Sequence, residues 1–178
     1  MGFGFSTSWI FGREYSDRTV KDLLALPVSR SKIVYSKFIV NVLWCILLSF
    51  ISLITGLIMG WIVGLSGWSI ETAVSGLEKI FLCVILTILL CPPVAFFASL
   101  GRGYLSPLGF IILTIILSQI ISALGYGQYF PWAIPAFRSG AAGPGEAQLE
   151  WISYIILTAT SLAGIISVVS WWRFADQN

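Results

Sequence analysis

The feature that most constrains this chain is the length of its stretches without charge. No charged residue occurs between Lys37 and Glu71, and further apolar runs follow before Arg173. Only 10% of the residues are charged and the mean hydropathy is +0.92, whereas soluble domains carry roughly 25% charged residues. Continuous runs rich in Leu and Ile indicate helices rather than the short alternating segments of a membrane β-barrel. The predicted fold class is all-α, a polytopic helical membrane protein.

The apolar runs predict four complete spans within one membrane domain over residues 1–178. Residues 1–12 are too short to cross a bilayer, which needs ~20 residues, and they lack a signal-peptide pattern. We interpret them as the end of a span whose beginning is missing, in a chain truncated at its N-terminus. Residues 125–150 predict an external loop, rich in aromatic residues and proline, with short helices or a re-entrant element. The predicted spans are residues 38–65, 80–100, 106–124 and 151–172, and residues 66–77 form a mostly polar connector.

Glycine and tryptophan positions predict how the spans are packed and anchored. Gly56, Gly60 and Gly64 recur every four residues in the first span, which places them on one helix face. Such a face lets a partner helix approach closely, and we predict it to be a packing surface. Trp171 and Trp172 end the last span and are predicted to anchor it at the membrane–water interface.

A proline pair and a glutamine mark a candidate pathway. Proline has no N–H and clashes with the preceding turn, so Pro92 and Pro93 predict a break in the second span. Broken helices often line transport routes, although simple kinks are also common. Gln119 is the most polar side chain of the spans. It either hydrogen-bonds to a neighbouring helix or contacts a substrate. We therefore take Pro92, Pro93 and Gln119 as candidate pathway residues.

The residue types in the chain exclude several functions. There is no histidine, no phosphate-binding loop of the GxxxxGK[ST] type, and no pair of carboxylates within a span. Catalysis, metal binding and ATP binding by the usual cradle therefore have no candidate residues, and we expect neither a cofactor nor a nucleic-acid partner. Any energy source must come from a partner subunit.

The distribution of basic residues predicts the orientation. If the segment from Arg13 to Lys37 is cytoplasmic, four spans place Arg102 and Arg173 on the same side, and Lys79 and Arg138 lie outside. Basic residues are enriched in cytoplasmic loops, so the C-terminus is predicted to be cytoplasmic.

The segment from Gly12 to Lys37 holds half of the charged residues of the chain. Within it, residues 17–26 predict a short amphipathic helix that Ser16 caps and Pro27 ends. Ser29 or Ser31 is predicted to cap the helix that follows. One reading of the segment is a solvated connector at the interface, and the other is a docking surface. The apolar face of the short helix consists of Val20, Leu23 and Leu24.

The residue pattern of this segment resembles the cytoplasmic coupling segment of ABC-2 type transporter permeases, most closely those of bacitracin export and lantibiotic immunity. The pattern is GREY-x3-T-x3-LLALPVSRSKIVYSK. The external PWAIP element, Pro131 to Pro135, is similar to the segment between that family's last two spans. The resemblance implies that a short helix docks in a groove of a separate ATP-binding subunit. The matching positions are Glu14, Thr19, Leu23, Leu26, Pro27, Val28, Ser29 and Arg30.

Such permeases usually have six spans, so the first span and most of the second are expected to be absent here. The resemblance implies a permease subunit of a bacterial ABC exporter in the cell membrane, working with a second copy or a related permease. It also implies that the substrate is a peptide antibiotic and that ATP hydrolysis takes place in the partner. The alternative is a membrane interaction protein without a transport role, such as a permease remnant.

Overall fold

The computed structural model describes residues 2–17, 19, 27–64, 69–140 and 149–174. Its regular structure is helical throughout these residues, which confirms the predicted all-α class. Four helical stretches are long and apolar enough to cross a membrane, as predicted. The helices are α1 (Gly2–Ser16), α2 (Arg30–Ile62), α3 (Ile70–Ile88), α4 (Cys91–Leu100), α5 (Leu105–Ala123), α6 (Ile134–Ser139) and α7 (Trp151–Phe174), with a 3-10 turn at Gly127–Tyr129.

Helix α2 is longer at its start and shorter at its end than the span predicted over residues 38–65. Ser29 takes the extended backbone of a capping residue, although its side chain makes no capping hydrogen bond. The helix ends at Ile62, and Gly64 follows with a φ of +68°. A left-handed residue just past a helix is the usual role of glycine, because it has no Cβ to clash. Most of the large apolar side chains of α2 are exposed, as suits a helix that faces lipid.

The predicted glycine row does not form a packing face within this chain. Gly64 lies beyond the end of α2, and a Cβ on Gly56 would meet nothing within 4 Å. Gly60 alone of the three is buried. Within the described residues no helix of this chain covers Gly56 or Gly64, and the row stays a predicted packing surface for a partner helix.

The second span begins well before the predicted residue 80. Ser69 accepts a hydrogen bond from the Thr72 backbone N–H at 3.1 Å, and Glu71 lies in the first helical turn. Both features stabilise the positive end of a helix, so the region that we predicted as a polar connector is helical from Ile70. The predicted break is present, since α3 ends at Ile88 and α4 begins at Cys91. The two prolines lie in the first turn of α4, where no intrahelical N–H bond is lost.

Helix α4 is the centre of the bundle. It packs most extensively against α7, and it also contacts α1 and α5. The contact with α7 is close because Gly164 faces the break: an added Cβ there would lie 2.6 Å from the Pro93 nitrogen and 2.8 Å from the Pro92 carbonyl carbon. Small residues allow helix backbones to approach in this way. Gly164 is therefore a point at which two helices of this chain pack closely.

Two clusters of buried apolar residues stabilise the two ends of the bundle. At one end, helices α1, α2, α4 and α7 meet around Phe11, Val34, Ala98 and Trp172. At the other end, Ile134 of the short helix α6 packs against Leu86 and Leu90 of the second span and against Leu157 of α7. The loop predicted over residues 125–150 thus contains a short helix, and its PWAIP element is packed into the protein, with Ala133 and Ile134 fully buried.

Candidate functional site

Only part of the predicted coupling segment lies among the described residues. The predicted docking face of Val20, Leu23 and Leu24 lies outside them, as does Leu26. At the start of the segment, the Thr19 backbone N–H donates to the Glu14 carbonyl at 3.0 Å, and the Arg13 guanidinium pairs with Asp17 at 3.2 Å. At its end, Pro27, Val28, Ser29 and Arg30 are exposed. The structure therefore shows how the segment is attached at both of its ends.

The first attachment is an ion pair between Glu14 at the end of α1 and Lys37 near the start of α2. The Lys37 ammonium donates to the Glu14 carboxylate and, at 2.9 Å, to the Ile10 carbonyl. It also lies 5.4 Å from the Phe11 ring centre and 5.2 Å from that of Trp172. The Lys37 side chain is only 8% exposed. A buried ammonium is stable only when paired and hydrogen-bonded, so these contacts explain why α1 and α2 meet here.

The second attachment runs to the end of α7. Trp172, predicted as an interface anchor, is instead fully buried. Its indole N–H donates to the Ser99 hydroxyl at 3.0 Å, and its ring meets that of Tyr15 edge-on at 6.0 Å. The Arg30 guanidinium donates to the Trp172 carbonyl at 3.5 Å. Trp172 is buried because α1, α2 and α4 all surround the end of α7, which a span-by-span view of the sequence does not reveal.

We call Glu14, Arg30, Lys37 and Trp172 the clamp. Its residues come from three helices and join the two ends of the segment to each other and to α7. Among the predicted coupling residues, Glu14 and Arg30 belong to the clamp, whereas Thr19, Pro27 and Ser29 are exposed beside it. From the sequence, Lys37 is placed only at the end of the charged segment and is given no partner. The available signal was that Glu14 and Lys37 each adjoin an apolar helix, where a charge needs a partner.

Of the candidate pathway residues, Gln119 lines a cavity and the two prolines do not. Gln119 lines a cavity of about 310 Å³ beside the break in the second span, together with Thr114, Ser118 and Trp132. Pro92 and Pro93 are buried, and they meet α7 at Gly164. The cavity lining includes their neighbour Cys91 but neither proline. The prolines thus shape the break and pack it, while the cavity surface comes from the residues around them.

A second cavity, of about 650 Å³, lies between α1, α2, α3 and α6. Phe3 and Thr87 line both cavities and so separate them. Within the described residues, no group of three or more His, Cys, Asp or Glu side chains is placed to hold a metal ion. What the described site offers is therefore mechanical attachment at one end of the bundle and space between the helices.

Comparison with known proteins gives two findings. A family model described as ABC-2 family transporter protein matches residues 1–119. The bacitracin transport permease protein BCRB of Bacillus licheniformis is 29% identical over 175 residues, which cover 98% of this chain and 83% of that relative. No solved structure matches the chain.

Proposed function

This chain belongs to the ABC-2 transporter family and is a multi-pass membrane permease subunit of an ABC exporter, and from this premise we propose that a separate ATP-binding subunit drives it through the segment between α1 and α2. The observation that carries the proposal is the clamp. Because Glu14, Lys37 and Arg30 join both ends of the segment to the helices, a force on the segment moves α1, α2 and α7 together. A segment attached loosely would absorb the force instead.

The same end of the bundle faces the cytoplasm in this proposal. Arg13, Arg30, Lys37, Arg102 and Arg173 all lie at the end where the clamp is formed or in the turn beside it. Lys79 and Arg138 belong to the opposite end. An excess of basic residues marks the cytoplasmic side of a membrane protein, so the segment and the C-terminus are assigned to the cytoplasmic side of a bacterial cell membrane.

The proposed substrate is a peptide antibiotic. The support is the relative, which is named for bacitracin transport and aligns with nearly the whole chain. ATP is hydrolysed in the partner subunit, and a second copy or a related permease completes the transport path. Within this chain, the Gln119 cavity beside the broken span is the proposed stretch of that path, because a break frees backbone carbonyls that a polar substrate or water can contact.

Co-purification tests the docking surface. We expect Leu23→Asp plus Leu24→Asp to lower recovery of a co-expressed ATP-binding subunit about tenfold, because charges would enter a buried apolar interface. The matched control is Ile62→Asp plus Val63→Asp, which places the same charges on exposed residues at the far end of α2. Recovery should be normal in the control. Full recovery with the Leu23 and Leu24 variant would show that the ATP-binding subunit docks elsewhere.

A further inference from the structure

The larger of the two cavities is a slot between helices in the half of the bundle away from the clamp. Its walls come from α1, α2, α3 and α6, and its volume of about 650 Å³ falls in the usual range for ligand pockets. Most of the surface is apolar, with Phe3, Leu48, Ile80 and Val84 among its lining residues. An apolar slot of this size between membrane helices suits an aliphatic chain.

The polar groups of the slot are largely used by the protein itself. The Thr87 hydroxyl donates to the Cys83 carbonyl at 2.6 Å, and the Cys83 thiol donates to the Pro135 carbonyl at 3.5 Å. These bonds tie the slot to the helix α3 backbone and to α6. Neither thiol nor hydroxyl is therefore a strong recognition group for a ligand.

Lys79 is the charged residue of the slot lining. Its neighbour Glu78 pairs with Arg138 on α6 at 3.5 Å. In the described part of the chain, no carboxylate lies within ion-pair distance of the Lys79 ammonium. The charges of Glu78 and Arg138 cancel each other, so the positive charge of Lys79 remains at the slot. This charge favours an anionic ligand.

The position of the slot along α2 gives its depth in the membrane. Ser52 lines the slot and lies fifteen residues after Lys37, which is about 22 Å along a helix. The hydrocarbon core of a bilayer is about 30 Å thick. The slot thus lies in the leaflet far from the clamp, where the long Lys79 side chain reaches the level of the lipid headgroups.

We propose that this slot binds an anionic phospholipid of the surrounding bilayer, with the phosphate at Lys79 and an acyl chain between Phe3, Leu48, Ile80 and Val84. This inference goes beyond the permease function and does not depend on the identity of the transported substrate. Because Phe3 and Thr87 also line the Gln119 cavity, a bound acyl chain would lie against the wall between the two cavities.

The test uses the full chain in nanodiscs of phosphatidylcholine that contain a minor fraction of phosphatidylglycerol. Native mass spectrometry counts the lipids that stay bound after the disc is released. Wild-type protein should retain one phosphatidylglycerol molecule in preference to phosphatidylcholine. Lys79→Gln should weaken that retention about tenfold, the effect expected from losing a hydrogen bond to a charged group.

Three further variants separate the slot from general effects of charge and size. Val84→Trp fills the slot while keeping Lys79, and it should also abolish selective retention. Lys32→Gln and Leu113→Trp make the matched changes at exposed positions elsewhere and should bind phosphatidylglycerol as the wild type does. The proposal is overturned if Lys79→Gln and Val84→Trp both retain the lipid normally, or if both lipids are retained equally. Co-purification with the ATP-binding subunit is scored separately, so failure here leaves the proposed function unaffected.

Discussion

Glu14→Gln is expected to destabilise the folded protein by about 3 kcal/mol, because it removes the counter-charge of a buried ammonium. Lys37 is held in the interior by the Glu14 carboxylate, the Ile10 carbonyl and two aromatic rings. Without the carboxylate, that charge must either stay unpaired in an apolar core or be neutralised. The measurement is thermal unfolding of the detergent-purified protein, followed by tryptophan fluorescence.

Removing the lysine of the pair should lower the stability of the folded protein less than removing the glutamate. Lys37→Met leaves the Glu14 carboxylate unpaired, but that side chain is 25% exposed, whereas Lys37 is 8% exposed. The double variant Glu14→Gln plus Lys37→Met should recover most of the loss, since a well-packed apolar pair can replace a buried ion pair. An additive loss in the double variant would contradict the pairing. Arg13→Gln breaks an exposed pair and should change stability by no more than about 1 kcal/mol.

Gly164→Ala is expected to destabilise the bundle by about 3 kcal/mol or more, at the upper end of the cost of overpacking a core. The added Cβ would lie 2.6 Å from the Pro93 nitrogen and 2.7 Å from its ring carbon. These atoms belong to a proline in the first turn of α4, so they cannot move aside as a flexible side chain would. The amount of monodisperse protein after detergent extraction, together with its unfolding temperature, measures the effect.

The matched control is Gly56→Ala in the exposed part of α2. An added Cβ there would meet nothing within 4 Å. Alanine favours a helix over glycine, so this variant should be neutral or slightly stabilising. If the two glycine variants lowered stability equally, the close approach of α4 and α7 at Gly164 would not be the cause.

The clamp also bears on the proposed coupling to an ATP-binding subunit. If the ATP-binding subunit pushes on the segment, the push reaches α7 through Arg30 and the pair of Glu14 with Lys37. The slot at the opposite end lies between α1, α2, α3 and α6. Two of its walls, α1 and α2, are thus the helices that the clamp holds. Movement at the clamp would therefore change the shape of the slot as well.

The fold class, the existence of four apolar helices long enough to span a membrane and the break at the proline pair all follow from the amino-acid sequence. These depend on local properties: the length of an apolar run, and a proline that cannot donate a hydrogen bond. The structure has α5 at Leu105–Ala123 and α7 at Trp151–Phe174, beside the spans predicted over residues 106–124 and 151–172. The start of α3 was missed, although the capping residue Ser69 was a readable local signal.

The residues that hold the helices together become visible only in the packed structure. Glu14 bonds to Lys37 across 23 positions of sequence, Trp172 to Ser99 across 73, and Arg30 to Trp172 across 142. No local pattern links such residues, because their contact depends on how whole helices cross. For the same reason, local sequence does not reveal that Gly164 faces Pro93 at the break or that Trp172 is a core residue. Spacing along one helix shows which residues share a face, but only the packed bundle shows what that face meets.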